Sequence, residues 1–174
     1  MSIKKVFIGN DHAGKDLKEL IISYLKDNYS DIEVINLGTD SYESCDYPDY
    51  AKSVSLKVLE NEDSIGVLIC GTGIGMSIAA NKIPGIRAAL CYNSTAAKFA
   101  RLHNNANVLC LGQRMIGIEL AKDIIDTFIK TEFEKGRHLQ RVNKIEYINK
   151  NDTQNIDLKN LEEKSSEKSF KNLC

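Results

Sequence analysis

The 174-residue chain is long enough for one compact domain with a sizeable core and no disulfide or metal staples. Hydrophobic residues make up 43% and charged residues 27%, as in ordinary soluble domains. Lys and Arg number 23 against 24 Asp and Glu, and the resulting net charge of −1 argues against nucleic acid as the main partner.

No apolar run approaches the roughly 18 residues that a membrane span needs. Residues 1–5 lead straight into a strand pattern without a signal-peptide core, so a cytoplasmic chain away from the membrane is expected. The five cysteines, Cys45, Cys70, Cys91, Cys110 and Cys174, are scattered and form no CxxC pair. Free thiols are expected rather than a disulfide framework or a zinc site.

Short apolar runs alternate with amphipathic stretches along the chain. Val6-Phe7-Ile8 reads as a strand, and Leu17, Leu20, Ile21, Tyr24 and Leu25 then recur at helical spacing. Residues 32–37 form a second strand, stopped by Gly38, and a helix with the stripe Ala51, Val54, Val58 and Leu59 follows Pro48. Residues 65–70 carry no polar side chain, as expected of a parallel strand covered on both faces. A glycine-rich turn opens a short helix around Ile74, Ile78 and Ala79. Residues 86–91 are the fourth strand, 94–102 a helix and 108–111 the fifth strand. A long helix carries Ile116, Leu120, Ile124, Ile125, Phe128 and Ile129, and a last one runs from about Arg137 to Asn149.

This alternation predicts an α/β fold: a Rossmann-like open parallel five-stranded sheet with helices on both faces. Residues 1–149 form the domain. Residues 150–174 hold five Lys and five acidic residues with few apolar ones, and are expected to be a mobile polar tail. In such a sheet ligands bind beyond the carboxyl ends of the strands.

The strongest local signal there is Cys70-Gly71-Thr72-Gly73-Ile74-Gly75. Three glycines let the backbone approach a ligand closely, and the following helix start offers free N–H groups to a phosphate or an oxyanion. Met76 breaks the dinucleotide fingerprint, and no Gly-Lys-Ser/Thr ending of a P-loop is present. A tight turn without a ligand has equal weight on spacing alone. Cys70 at the mouth of that turn could be held as a thiolate, although a cysteine ending a buried strand is more often filler. Cys91 and Cys110 read as core.

Asp11 could cap the helix that follows it, and His12 could be a plain loop residue. His103 at the end of the fourth helix is favourable on dipole grounds alone. Arg137 and Arg141 share a helical face beside His138, which suits a phosphate dianion or simply a solvated surface. No HxxxH spacing supports a metal.

Together these pieces resemble the ribose-5-phosphate isomerase B family, within the wider group that includes galactose-6-phosphate isomerase. The resemblance rests on Gly9-Asn10-Asp11-His12-Ala13-Gly14, Asp46-Tyr47-Pro48-Asp49-Tyr50-Ala51, the Cys70–Gly75 turn and Ala79-Ala80-Asn81-Lys82. It continues through Gly85-Ile86-Arg87-Ala88, His103-Asn104, Asn107-Val108, Gly112-Gln113-Arg114 and Gly136-Arg137-His138-Leu139-Gln140-Arg141.

The resemblance implies an aldose–ketose isomerase acting on ribose 5-phosphate without metal or cofactor. His103 and Asp11 would open the sugar ring, with Thr72 close to its oxygens. Cys70 would carry the proton between C2 and C1 through an enediolate stabilised by the backbone of Gly71, Gly73, Ile74 and Gly75. His12, Arg114, Arg137 and Arg141 would hold the phosphate, with Tyr47, Asn104 and His138 nearby. It also implies a homodimer with shared active sites, a tetramer being left open.

One branch of the family uses a Glu a few residues after the turn as base, but Gly75-Met76-Ser77 has none, which favours Cys70. Asn10 stands where the family commonly has Ser or Cys. The alternatives are a galactose-6-phosphate or allose-6-phosphate isomerase, or a non-catalytic module that binds a phosphorylated ligand.

Overall fold

A computed structural model describes residues 3–151, so nearly all of the expected 150–174 tail lies outside the described residues. The strands are β1 (Lys5–Asn10), β2 (Glu33–Asn36), β3 (Ser64–Cys70), β4 (Ala88–Leu90) and β5 (Val108–Gly112). The helices are α1 (Lys15–Asn28), α2 (Tyr47–Glu60), α3 (Ile74–Ala80), α4 (Ser94–Asn104), α5 (Ile118–Lys130) and α6 (Gly136–Asn151). All pairings are parallel, in the order β2-β1-β3-β5-β4. The Rossmann-like α/β expectation is met.

Alternation along each strand divides the core in two. Val6, Ile8, Ile65, Val67, Ile69, Leu109 and Leu111 face α1, α4 and α5. Phe7, Leu68, Cys70, Val108 and Cys110 face α2 and α3. Strand residues with side chains on opposite faces and both faces covered are what make β3 apolar throughout.

Two expectations are corrected in detail. The fourth strand is shorter than residues 86–91, because Ile86 N–H is taken by Ile83 O in a turn through Gly85, whose φ is +85°. Only Ala88–Leu90 lie in the ladder beside β5, with Cys91 N–H still reaching Cys110 O at 3.1 Å. The apolar stripe of α1 is also rotated from its expected position. Leu20 is exposed, whereas Lys18 is wholly buried beside Leu17, Ile21 and Leu25.

Among the described residues no helix is long and apolar enough to cross a membrane. Phe128 on α5 is fully buried, with the Arg101 guanidinium 5.3 Å from its ring centre. Phe128→Ala is expected to cost about 3–5 kcal/mol, read as a lower urea midpoint at unchanged slope. A loss under about 1 kcal/mol would mean that the ring does not anchor the α5 face.

Candidate active site

The chain runs outward from β1 to β2 on one side, then crosses back to place β3 on the other side of β1. This reversal makes the gap between the carboxyl ends of β1 and β3 the natural crevice of the sheet. The register pairs Asn10 with Ile69 and Cys70 with Gly112, so Asp11, Cys70 and Gln113-Arg114 emerge side by side.

Asp11 is buried and caps the turn after β1, with Oδ1 accepting from Ala13 N–H at 2.9 Å. The expected capping role is therefore real.

Cys70 keeps 5% of its surface, and the N–H of Gly73 lies 3.0 Å from its sulfur. That contact exists because Gly73 turns the chain with φ +79°, a region an L side chain rarely occupies. A Cβ there would also meet Leu90 at 2.6 Å and the Leu111 backbone at 2.8 Å. Gly71 lies under the Arg114 guanidinium, where a Cβ would come within 3.2 Å, and Gly75 lies under the Tyr47 ring at 2.7 Å. The three glycines thus admit the sulfur, a cation and an aromatic ring in turn. Thr72 Oγ1 accepts from Ile74 N–H at 3.3 Å, and Tyr92 OH donates to Thr72 O at 2.9 Å.

Two further thiols, Cys91 and Cys110, are buried in the core. Burial pushes Cys91 up to about 11, and burial followed by the nearby Cys70 and Cys91 thiols pushes Cys110 well above the ordinary thiol value. Both stay protonated, as expected of core cysteines.

A second cluster lies at the opposite edge of the sheet. α4 returns the chain toward the start of β5, so His103 and Asn104 end up one strand length from Gly112, about 13 Å for four steps of β5. There the His103 and His138 rings stack at 4.2 Å and 6°, and Glu134 reaches both at 3.7 and 3.5 Å. Arg137 and Arg141 are exposed in the opening turns of α6 beside them. Burial and the His103 charge lower the pKa of His138, and its Nε2 has no hydrogen-bond partner.

His103, Glu134 and His138 are the one group among the described residues that brings three metal-type ligands together. The in-plane lone pairs of two parallel rings do not converge on one point, so this arrangement does not suit an ion held by both rings.

Thus the expected residues form two groups. Asp11, His12, Tyr47, Cys70, Gly71, Thr72, Gly73, Ile74, Gly75 and Arg114 gather at the carboxyl edge, and His103, Asn104, Arg137, His138 and Arg141 at the amino edge. A 530 Å³ cavity at the amino edge and a 480 Å³ cavity beside β4 are lined by no residue of the Cys70 turn, although Asn104 lines the second.

Sequence reasoning missed Cys45, whose N–H donates to His12 Nδ1 at 3.2 Å, and Gln113, which accepts from Leu17 N–H at 3.0 Å. Gln113 belonged to a noticed motif, but nothing local marked Cys45. It also missed Glu134, which no pattern announced.

A family model described as Ribose/Galactose Isomerase matches residues 6–145. Ribose-5-phosphate isomerase B of Escherichia coli is 48% identical over 146 residues, covering 84% of this chain and 97% of that protein. The structure of ribose-5-phosphate isomerase B from Clostridium thermocellum superposes with a TM-score of 0.80 at 52% identity, over 83% of this chain and 96% of that one. The corresponding Thermotoga maritima structure gives 0.79 at 54%, over 82% and 97%. With this breadth of match, the chain belongs to the ribose/galactose isomerase family and is an enzyme of the isomerase class.

Proposed function

We propose that this isomerase interconverts ribose 5-phosphate and ribulose 5-phosphate, with Cys70 as the proton-transferring base and a cis-enediolate between them. The observation that carries this reading is the Gly73 N–H held 3.0 Å from the Cys70 sulfur, at the crevice edge next to the Asp11 carboxylate. A thiolate needs such a donor. The E. coli and C. thermocellum relatives described as ribose-5-phosphate isomerase B support the choice of substrate.

The steps balance without a redox partner. Once the ring is open, the sulfur takes the proton on C2. The C–H pair becomes the C1=C2 bond, and the C1 carbonyl pair moves onto O1. The thiol then returns its proton to C1 while the C2 hydroxyl proton passes to O1 and C2=O forms. Backbone N–H groups between Gly71 and Gly75 are the candidates for the enediolate oxygens. A general base supplies about 10²–10⁴-fold, so these donors and phosphate anchoring carry the remainder.

Phosphate anchoring falls to two sources. His12 and Arg114 lie on the same edge as Cys70, whereas His103, Arg137, His138 and Arg141 lie on the other. A single chain cannot bring the second group to its own sulfur across the length of β5. A two-fold dimer in which each copy lends its amino-edge cluster to the partner's crevice completes the site. The apolar side chains Phe99, Leu139, Ile145 and Ile148, left exposed on α4 and α6, fit such a contact. The cytoplasm is the compartment that suits a reactive free thiol.

A galactose 6-phosphate substrate is the second reading, favoured by the family description that spans both sugars. Parallel assays with ribose 5-phosphate, galactose 6-phosphate and allose 6-phosphate separate them, and turnover of the six-carbon sugars alone would overturn the first reading.

Cys70→Ala is expected to lower kcat by at least about 10²-fold while calorimetry still detects ligand binding. Turnover close to that of the unaltered enzyme would remove Cys70 from the mechanism. Mixing Cys70→Ala with His103→Ala subunits is expected to restore about one quarter of full activity, because random pairing leaves one intact site in each mixed dimer. Mixed dimers that form, by mass spectrometry, yet stay inactive would show that the sites are not shared.

A further inference from the structure

The ten residues between β2 and α2 pass over the carboxyl ends of β1 and β2, and their attachments are unusually specific. Leu37 N–H donates to Ile8 O at 2.7 Å, which continues the strand ladder by one step. The chain then bends at Thr39, whose carbonyl accepts from two buried side chains. Asn10 Nδ2 donates to it at 3.0 Å and Lys18 Nζ at 2.9 Å. The Lys18 ammonium also pairs with the Asp40 carboxylate, which lowers the pKa of Asp40.

Lys18 is 0% exposed, and a buried ammonium is tolerated only when acceptors surround it. Its partners are the loop itself, so the charge is stable only while the loop is closed over it. At the far end of the loop the Cys45 N–H donates to His12 Nδ1 at 3.2 Å, and the Cys45 sulfur lies 3.9 Å from the same atom. An accepting Nδ1 carries the lone pair, which puts the proton of the neutral ring on Nε2.

We propose that Lys18 is a positioning residue for His12. By fixing Thr39 and Asp40 it sets the path of the loop so that the Cys45 amide meets Nδ1, and His12 then presents an Nε2–H donor to the substrate phosphate. This rests on the phosphate role given to His12 above, and it adds a group that touches no substrate. Deprived of the ammonium, the loop keeps the Asn10 bonds at Thr39 and the Tyr42 hydroxyl on Asp16 Oδ1 at 2.7 Å, but the stretch at Thr39 and Asp40 loosens and the Cys45 amide meets Nδ1 less reliably. Part of the His12 population would then present a lone pair to the anion instead of a proton.

Nitrogen-15 NMR of the full chain tests the idea directly, since only three histidines are present and His12→Gln assigns the signal. In the unaltered protein the neutral His12 ring is expected as the Nε2–H form alone. In Lys18→Met both tautomers are expected, with KM for ribose 5-phosphate raised about twofold as the donor form falls toward about half, and kcat changed less than KM. Asp40→Asn, at the exposed end of the pair, is expected to move both readouts the same way by less, and it serves if Lys18→Met does not fold. A single Nε2–H tautomer in the folded variants would overturn the proposal. The NMR readout does not depend on turnover, so inactivity of the parent enzyme toward ribose 5-phosphate would count against the proposed function and leave the tautomer result standing.

Discussion

The pairing of β1 with β3 is the constraint from which the rest follows. Six residue pairs, from Lys5 with Ser64 to Asn10 with Ile69, bring the ends of two strands level although 59 positions separate them in the chain. Asp11 N–H extends the ladder by donating to Ile69 O at 3.2 Å. Asp11 therefore leaves the sheet level with the end of β3 that carries Cys70. A one-residue slip would exchange the faces of β1, pointing Phe7 into the α1 side and Val6 and Ile8 into the α2 side. Burial on both faces makes that slip costly, so the crevice inherits its geometry from the core.

The same constraint explains why the candidate residues fall into two groups. In a parallel sheet every helix must carry the chain back to the amino edge before the next strand starts. Residues at strand ends and residues at helix ends therefore lie on opposite edges. Cys70 is of the first kind, and His103, at the end of α4, is of the second. No adjustment of side-chain rotamers closes a gap of a whole strand. For the proposed substrate, with its phosphate at one end and its carbonyl at the other, a second subunit's edge would supply what the first cannot, and the proposed dimer would be part of the chemistry rather than of stability alone.

Much of the fold was legible because the sequence pattern and the burial pattern coincide. The unbroken apolar run of β3 reported a strand covered twice, and Gly38, Asn93 and Gly136 marked where elements stop or start. The glycine turn was legible too, since alternate glycines have few other uses at a strand end. Periodicity failed at α1, where Leu20 looked like core and Lys18 like surface. A lysine is read as solvated by default, and only the loop folded over it, fixed by contacts some 20 residues away, reverses that. The Cys45 amide contact with His12 was invisible for a related reason: it is a backbone donor, and any residue at position 45 other than proline could supply it.

Asn10 shows how an unpaired buried acceptor is absorbed. Its amide spends both hydrogens, on Asp11 O at 2.8 Å and Thr39 O at 3.0 Å, while its Oδ1 is left buried without a partner. An unpaired buried acceptor costs about 1–3 kcal/mol, so the two bonds made must offset it. They do so at the junction of β1 with the loop that reaches His12, where a Ser or Cys is too short to span to Thr39. Gly38 is bound to the same arrangement, because a Cβ there would fall 1.8 Å from that Oδ1. Asn10, Gly38 and Lys18 are thus a coupled set around one carbonyl. A longer side chain at position 10 in this chain accompanies a loop anchored from β1 as well as from α1, and the strand that carries Asp11 also helps to aim the histidine beside it.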